Sequence, residues 1–178
     1  MKQAFAFVSY GMGGAALDPA GGEVALVAKI KALGVDVGAS PYLYSDVQTI
    51  CNQILATPVG SVIIVGGDSL GANNAPFIAT SIRTKRGIDY LFGFQPSLWG
   101  LHSTVPKSVV ECLCIYNPNW LETFGLGDYP WPLEAGNTRT KPAGGRDSIY
   151  IPNSDSHPGD NDVAMQDIIV ADIKGIIA

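Results

Sequence analysis

One serine in the sequence stands at a spacing suited to nucleophilic chemistry. Residues 61–65 form an apolar run typical of a central parallel strand covered on both faces, and Gly67-Asp68-Ser69-Leu70-Gly71 follows it closely. Glycines on either side of a serine allow a strand to turn sharply into a helix with the hydroxyl exposed. The plainer interpretation is that Ser69 only caps the next helix. Its place directly after the most strand-like run favours a nucleophile.

A serine hydroxyl needs a base to become a good nucleophile, and the chain has only two histidines. His157 lies between the predicted last strand and the last helix, so its loop leaves the carboxyl end of a strand, where open α/β sheets bind ligands. His102 follows the strand that ends near Phe94. We therefore predict His157 as the general base and keep His102 as the weaker alternative.

Strand-like and helix-like segments that must position these residues alternate along the chain. Predicted strands cover 4–10, 35–42, 61–65, 90–94, 109–116 and 148–151. Helices are expected to start at Asp18, Asp46 and Asp162, and a further helix is expected over 72–84. Pro76 must fall in the first turn of that helix or bend it. This alternation predicts an α/β fold, a single domain over 1–178 with a doubly wound, mostly parallel sheet. The irregular stretch 117–147, rich in aromatic residues and proline, is either a lid over the site or a hydrophobic satellite that closes the core.

Three sequence blocks together resemble a compact α/β-hydrolase, a serine esterase or lipase of cutinase-like size. They are "SYGMGG" after the first strand, "GGDSLGAN" after the third and "SDSHPGDND" before the last helix, so the likeness spans nearly the whole chain. The family order of nucleophile, acid and histidine agrees with Ser69 preceding His157. The resemblance implies a minimal form of the fold, without room for two further N-terminal strands. It also implies an enzyme that cleaves carboxylic esters, with thioesters and amides open to the same machinery.

The same resemblance assigns an oxyanion hole to two backbone N–H groups. One donor would be Leu70, directly after the nucleophile, and the other Met12 in the glycine-rich turn after the first strand. Gly11 would shape that turn and border the substrate. Asp68 and Trp120 are further candidate substrate contacts, although a carboxylate at position 68 would repel an oxyanion unless it points away.

The acid of the catalytic set is where the sequence departs from the family pattern. Its usual position, past the penultimate strand, holds Asn117. An amide oxygen can accept the imidazole Nδ1–H and hold the tautomer, though it stabilises the imidazolium less than a carboxylate does. Asp155, two residues before His157, is the second candidate, and Asp128 is the third. A serine–histidine dyad without these residues, or with another partner, stays open.

Two other families share letters with this chain but not their arrangement. Gly67-Asp68-Ser69-Leu70 spells the GDSL esterase signature, yet that family carries its serine at the end of the first strand, and here the G-x-N-D match at 159–162 comes after His157. Residues 11–16 match G-x-G-x-x-A, but the helix expected at Asp18 begins beyond the glycines and would not meet a pyrophosphate. A nucleotide-binding protein and a catalytically inactive binding module of hydrolase fold are kept as alternatives.

Composition argues against several other classes. A net charge of −5 with eleven Lys and Arg argues against nucleic-acid binding, and no apolar run approaches the roughly 18 residues of a membrane span. Cys51, Cys112 and Cys114 lack metal-ligand spacing, and neither a metal nor a cofactor is predicted. Cys112 and Cys114, two residues apart in a predicted strand, are expected to be core thiols. The N-terminus lacks a convincing cleavage site, so a cytoplasmic setting is expected. The expected partner is a small-molecule or lipid-like ester, and the sequence fixes no oligomeric state.

Overall fold

The computed structural model of the protein is an α/β arrangement built on one parallel sheet. It describes residues 2–11, 22–94, 96, 104–116, 131, 133–134, 148–150 and 163–178, with the backbone alone at 116 and 148–150. The strands are β1 Ala4–Ser9, β2 Val62–Asp68, β3 Ile88–Phe94, β4 Val109–Tyr116 and β5 Ser148–Tyr150, and the helices are α1 Gly22–Ala32, α2 Val47–Ala56, α3 Ser69–Ile82 and α4 Val163–Ile177. The strands pair in parallel in the order β1-β2-β3-β4-β5. The predicted α/β class is therefore confirmed.

Helices cover both faces of the sheet. The side chains of α2 and α3 pack on one face over Phe7, Ile63 and Leu91, and those of α1 and α4 pack on the other face over Ile64 and Phe92. Successive side chains of a strand point to opposite faces, so a strand covered on both sides needs apolar residues at every position. This double burial explains the apolar run at the start of β2.

Residues 36–42, here called the edge segment, extend the sheet on the outer side of β1. They pair with β1 through two isolated parallel bridges, Asp36 with Phe5 and Tyr42 with Ser9. The chain therefore passes from β1 to the edge segment on one side and then crosses to β2 on the other side. This reversal makes the carboxyl ends of β1 and β2 the topological switch point, where open α/β sheets bind ligands.

The continuous strand predicted over 35–42 is not formed because side-chain and backbone chemistry interrupt it. The hydroxyl of Ser40 donates to the Ala6 carbonyl and accepts from the Val8 amide, each at 3.1 Å, in place of backbone bonds. Pro41 has no N–H to offer, and Gly38 has a φ of 51°, outside the strand region. The two ends of the edge segment therefore keep their register with β1, but its middle does not join the backbone hydrogen-bond ladder.

Helix α3 begins earlier than the sequence-based expectation. It starts at Ser69 rather than Ala72, and no loop residue separates it from β2. Pro76 lies in the helix interior rather than in the first turn. The transition from strand to helix is therefore sharper than predicted.

Of the helix starts predicted at Asp18, Asp46 and Asp162, the structure describes only the one at Asp46, before α2. Asp46 does precede this helix, but its carboxylate makes no capping bond and instead accepts the Leu43 amide at 3.1 Å. The helix start expected at Asp46 is therefore confirmed, but the Asp46 side chain does not cap the helix. The starts predicted at Asp18 and Asp162 lie outside the described residues.

All three cysteines are buried, and the core location predicted for Cys112 and Cys114 is confirmed. Cys112 and Cys114 lie two residues apart on β4 and join the cluster beneath α2 and α3. Within the described residues, no group of three or more His, Cys, Asp or Glu side chains could hold a metal ion. In that same part of the chain, none of the helices is long and apolar enough to cross a membrane.

Candidate active site

Ser69 lies where β2 passes directly into α3, at the topological switch point. Its φ is 49°, and among the described residues it is the one non-glycine residue with a positive φ. Such a backbone conformation costs on the order of 1–3 kcal/mol and persists only where the surrounding structure enforces it. Strain of this kind clusters at functional sites, so the turn marks Ser69 as the centre of the candidate site.

Close backbone packing explains the glycines on both sides of the serine. A Cβ on Gly67 would lie 2.6 Å from the Ser9 carbonyl oxygen. One on Gly71 would lie 2.6 Å from the carbonyl oxygens of both Ser9 and Tyr10. The start of α3 can approach the end of β1 only because these two positions lack side chains. The G-x-S-x-G spacing is thus accounted for by contacts with β1.

Helix capping does not account for Ser69. The N-cap of α3 is Asp68, whose backbone is extended at φ −115° and ψ 149°, and Ser69 is the first helical residue. A cap residue needs extended backbone, not the left-handed conformation of Ser69. The interpretation of Ser69 as a simple helix cap is therefore wrong.

Three predicted site residues meet at the ends of β1 and β2. A Cβ on Gly11 would lie 2.9 Å from Cβ of Ser69 and 2.9 Å from Oδ2 of Asp68. Because both atoms lie 2.9 Å from one point, they are at most twice that distance, 5.8 Å, apart. Asp68 is 7% exposed and Ser69 is 9% exposed. The Asp68 carboxylate therefore does not turn away from the serine but shares a largely buried corner with it.

Leu70, one of the two predicted oxyanion donors, lies in the first turn of α3. It is the second residue of α3. The first four amides of a helix have no carbonyl partner within that helix, and they lie at the positive end of its dipole. The Leu70 N–H is therefore suited to receive a developing negative charge beside Ser69.

Asn73 is a buried polar residue of this region that is not among the predicted site residues. It follows Ser69 by one helical turn on the same face of α3 and is 8% exposed. Buried amide side chains are hydrogen-bonded, so Asn73 is held in a defined position near the serine. The four-residue spacing from Ser69 is the sequence signal that points to it.

Trp131, from the stretch 117–147, packs over Gly93 near the carboxyl end of β3. A Cβ on Gly93 would lie 2.3 Å from Cζ2 of Trp131 and 3.1 Å from Cβ of Ala72, in the first turn of α3. The indole is 8% exposed, and its Nε1 has no hydrogen-bond partner among the described residues. Trp131 is therefore part of the core. At this residue, the stretch 117–147 fits the prediction of a hydrophobic satellite that closes the core better than the prediction of a lid.

The other predicted site residues lie outside the described residues. They are Met12, Asn117, Trp120 and His157, with the alternative acids Asp128 and Asp155 and the alternative base His102. Their roles stay predictions from the sequence.

An open groove of about 240 Å³ lies beside β1, near the end of α2. Its wall is mainly apolar and includes Phe5, Phe7, Asp36, Gln53, Ala56 and Pro58. No predicted site residue lines it, so this groove is separate from the corner that holds Ser69.

No family model, curated protein or solved structure matches this chain. A fold alone does not fix a function, because one fold supports many chemistries. Any chemistry of Ser69 therefore depends on the geometry around it.

Proposed function

We propose that this chain is a serine hydrolase with a minimal α/β-hydrolase fold that cleaves carboxylic esters through an acyl-enzyme. The observation that carries the proposal is the left-handed backbone of Ser69, at φ 49°, between a central parallel strand and a helix. A serine in that position, with a glycine two residues away on either side, matches the geometry of a nucleophile elbow.

The sheet topology supports the same proposal. Gly11 follows β1 and Ser69 follows β2, the two strands that flank the switch point. This is the location at which open α/β sheets bind small molecules. The serine comes after the second strand of the sheet rather than the first, which also disfavours a GDSL esterase.

The proposed reaction begins when Oγ of Ser69 attacks the ester carbonyl while His157 takes the hydroxyl proton. The tetrahedral oxyanion accepts hydrogen bonds from the backbone N–H groups of Leu70 and Met12, each of which can contribute on the order of 3 kcal/mol. Collapse breaks the bond to the alcohol, which leaves with the proton from His157. A water molecule, deprotonated by the same histidine, then attacks the acyl-serine and releases the carboxylic acid.

Asn117 and Asp155 are the leading candidates for the third member of the catalytic set, ahead of Asp128. Asn117 or Asp155 would accept the Nδ1–H of His157 and hold the tautomer that presents Nε2 to the serine. An aspartate would stabilise the imidazolium more strongly than an asparagine, so Asp155→Asn should lower kcat markedly only if Asp155 fills this role.

The proposal is tested with a short-chain p-nitrophenyl ester and a fluorophosphonate probe. We expect turnover of the ester and covalent labelling of Ser69, located by peptide mass spectrometry, and the loss of both in Ser69→Ala. Ser81→Ala changes an exposed serine on the same helix and should leave both unchanged. If the probe does not label Ser69 and Ser69→Ala alters no turnover, the chain is not a serine hydrolase. The alternative hypothesis, a catalytically inactive binding module of the same fold, would then remain.

A further inference from the structure

Asp68 places a carboxylate in the same corner as the Ser69 side chain. Its Oδ2 lies within 5.8 Å of Cβ of Ser69, since both are 2.9 Å from the position of a Cβ on Gly11. The next atom along the serine side chain is Oγ, which would form the bond to a substrate carbonyl. Any charge that a substrate carries near its carbonyl carbon would therefore come close to this carboxylate.

The Asp68 carboxylate is held rather than free to swing into solvent. Asp68 is the last residue of β2, its backbone pairs with Phe94 of β3, and the residue is 7% exposed. Its side chain makes no capping bond to α3. A charge in such a position is screened by water and salt much less than a charge on the surface.

Burial disfavours the charged form of Asp68, and its position next to the start of a helix acts in the opposite direction. The residue directly precedes α3, a helix of 14 residues. The positive end of a helix dipole stabilises a negative charge placed at the first turn.

We infer that Asp68 makes the site select neutral or cationic esters over anionic ones. This inference rests on the proposed hydrolase function. The oxyanion formed during reaction is common to all esters, so its repulsion by Asp68 does not discriminate among them. A second negative charge on the acyl chain adds a repulsion specific to that substrate, and a positive charge adds an attraction. At an effective dielectric constant of ~20 and a separation of ~8 Å, one such pair changes kcat/KM by roughly thirtyfold, and screening by salt reduces this to about tenfold.

The test compares three p-nitrophenyl esters of similar size: valerate, 4-sulfobutyrate and 4-(trimethylammonio)butyrate. We expect wild-type kcat/KM to be lowest for the sulfonate and highest for the trimethylammonium ester. In Asp68→Asn the ratio of kcat/KM for the sulfonate over valerate should rise about tenfold, and the ratio for the trimethylammonium ester over valerate should fall. Asp68→Ala is the second neutral variant if Asp68→Asn loses the native circular dichroism spectrum.

Asp172→Asn is the matched control. Asp172 is 6% exposed, so the variant makes the same substitution at an equally buried aspartate, but on α4. We expect its substrate ratios to equal those of the wild type. Ratios that shift equally in both variants, or that stay unchanged in Asp68→Asn while Ser69 is still labelled, overturn the charge selection and leave the hydrolase proposal standing. If none of the esters is turned over and Ser69 is not labelled, both proposals fail.

Discussion

Gly11 faces Ser69 so closely that a Cβ on Gly11 would lie 2.9 Å from Cβ of the serine. This is well inside the normal contact distance of ~3.5–4.0 Å between carbon atoms. Gly11→Ala must therefore displace either the serine or the end of β1. Because a displacement of about 1 Å at a reacting group can cost 10²-fold in rate, we expect kcat/KM of this variant to fall by about that factor.

The control for this variant is Gly175→Ala in α4. A Cβ on Gly175 meets nothing within 4 Å, so ester turnover should be unchanged. Wild-type kcat/KM in Gly11→Ala would show that the contact with Ser69 does not position the nucleophile.

The left-handed backbone of Ser69 predicts an inverted stability order. At an ordinary helix position, glycine is less stable than alanine by about 1 kcal/mol. At a position with a φ of 49°, glycine relieves strain that alanine retains, so Ser69→Gly should be at least as stable as Ser69→Ala. The free energies of unfolding in urea measure this difference.

Ser81 supplies the comparison within the same helix. Ser81→Gly should be less stable than Ser81→Ala by about 1 kcal/mol, the usual order. The same order and size of difference at both serines would mean that the turn at Ser69 stores no strain.

Ester turnover should decline as the pH falls below neutral. His157 acts as the proposed base only when neutral, and the ordinary pKa of histidine is about 6.5. A profile of kcat/KM from pH 4 to pH 9 measures the decline. Activity that stays level down to pH 4 would rule out His157 as the base.

Tyr90 donates a hydrogen bond to Asp172 at 2.8 Å in a buried contact between β3 and α4. Burial raises the pKa of Asp172, against an opposing effect of the Tyr90 bond. Burial, and secondarily the charge of Asp172, raises the pKa of Glu111. A carboxyl group with a raised pKa binds more protons in the folded state than in the unfolded chain. Its stabilising contribution is therefore full at low pH and is lost as the pH rises through the folded-state pKa.

Asp172→Asn removes this titration while keeping an oxygen that can accept from Tyr90. We expect the stability of the variant relative to the wild type to increase from pH 4 to pH 7, as measured by urea unfolding at both values. Asp167→Asn, which removes a charge on the same helix where it pairs with Lys29, is the control and should not show that increase. A relative stability of Asp172→Asn that is equal at pH 4 and pH 7 would contradict the prediction.

Gly93 leaves the space that the Trp131 ring fills. A Cβ on Gly93 would lie 2.3 Å from Cζ2 of that ring, so Gly93→Ala should lower the free energy of unfolding by roughly 1–3 kcal/mol. The cost should be smaller in a Trp131→Phe background, because the smaller ring leaves room for the methyl group. A double-mutant cycle measured by urea unfolding gives the coupling, and additive effects would show that the two residues do not meet.

The turn at Ser69 is predictable from sequence because its determinants are local. The apolar run before it specifies a buried strand, and the glycines at 67 and 71 permit the sharp passage into α3. The positive φ of Ser69 occurs where Gly67 and Gly71 lie against the end of β1, a contact that no local pattern encodes. The position of the turn could thus be predicted, but its strain could not.

Other features depend on contacts between distant parts of the chain. The alternation over 35–42 indicates a strand, but the bonds from the Ser40 hydroxyl to β1 form only once the two segments are side by side. The burial of Trp131 depends on the missing side chain at Gly93, and nothing in the composition of 117–147 signals that pairing. The orientation of Asp68 likewise depends on Gly11, at the end of another strand.

The interrupted pairing along the edge segment also affects how copies of the chain meet. An exposed strand with a continuous row of N–H and C=O groups is a template for strand addition and aggregation. The edge segment has no such row, because Pro41 lacks an N–H and only its two ends hold strand register with β1. This interrupted pairing therefore disfavours edge-to-edge association on this side of the sheet.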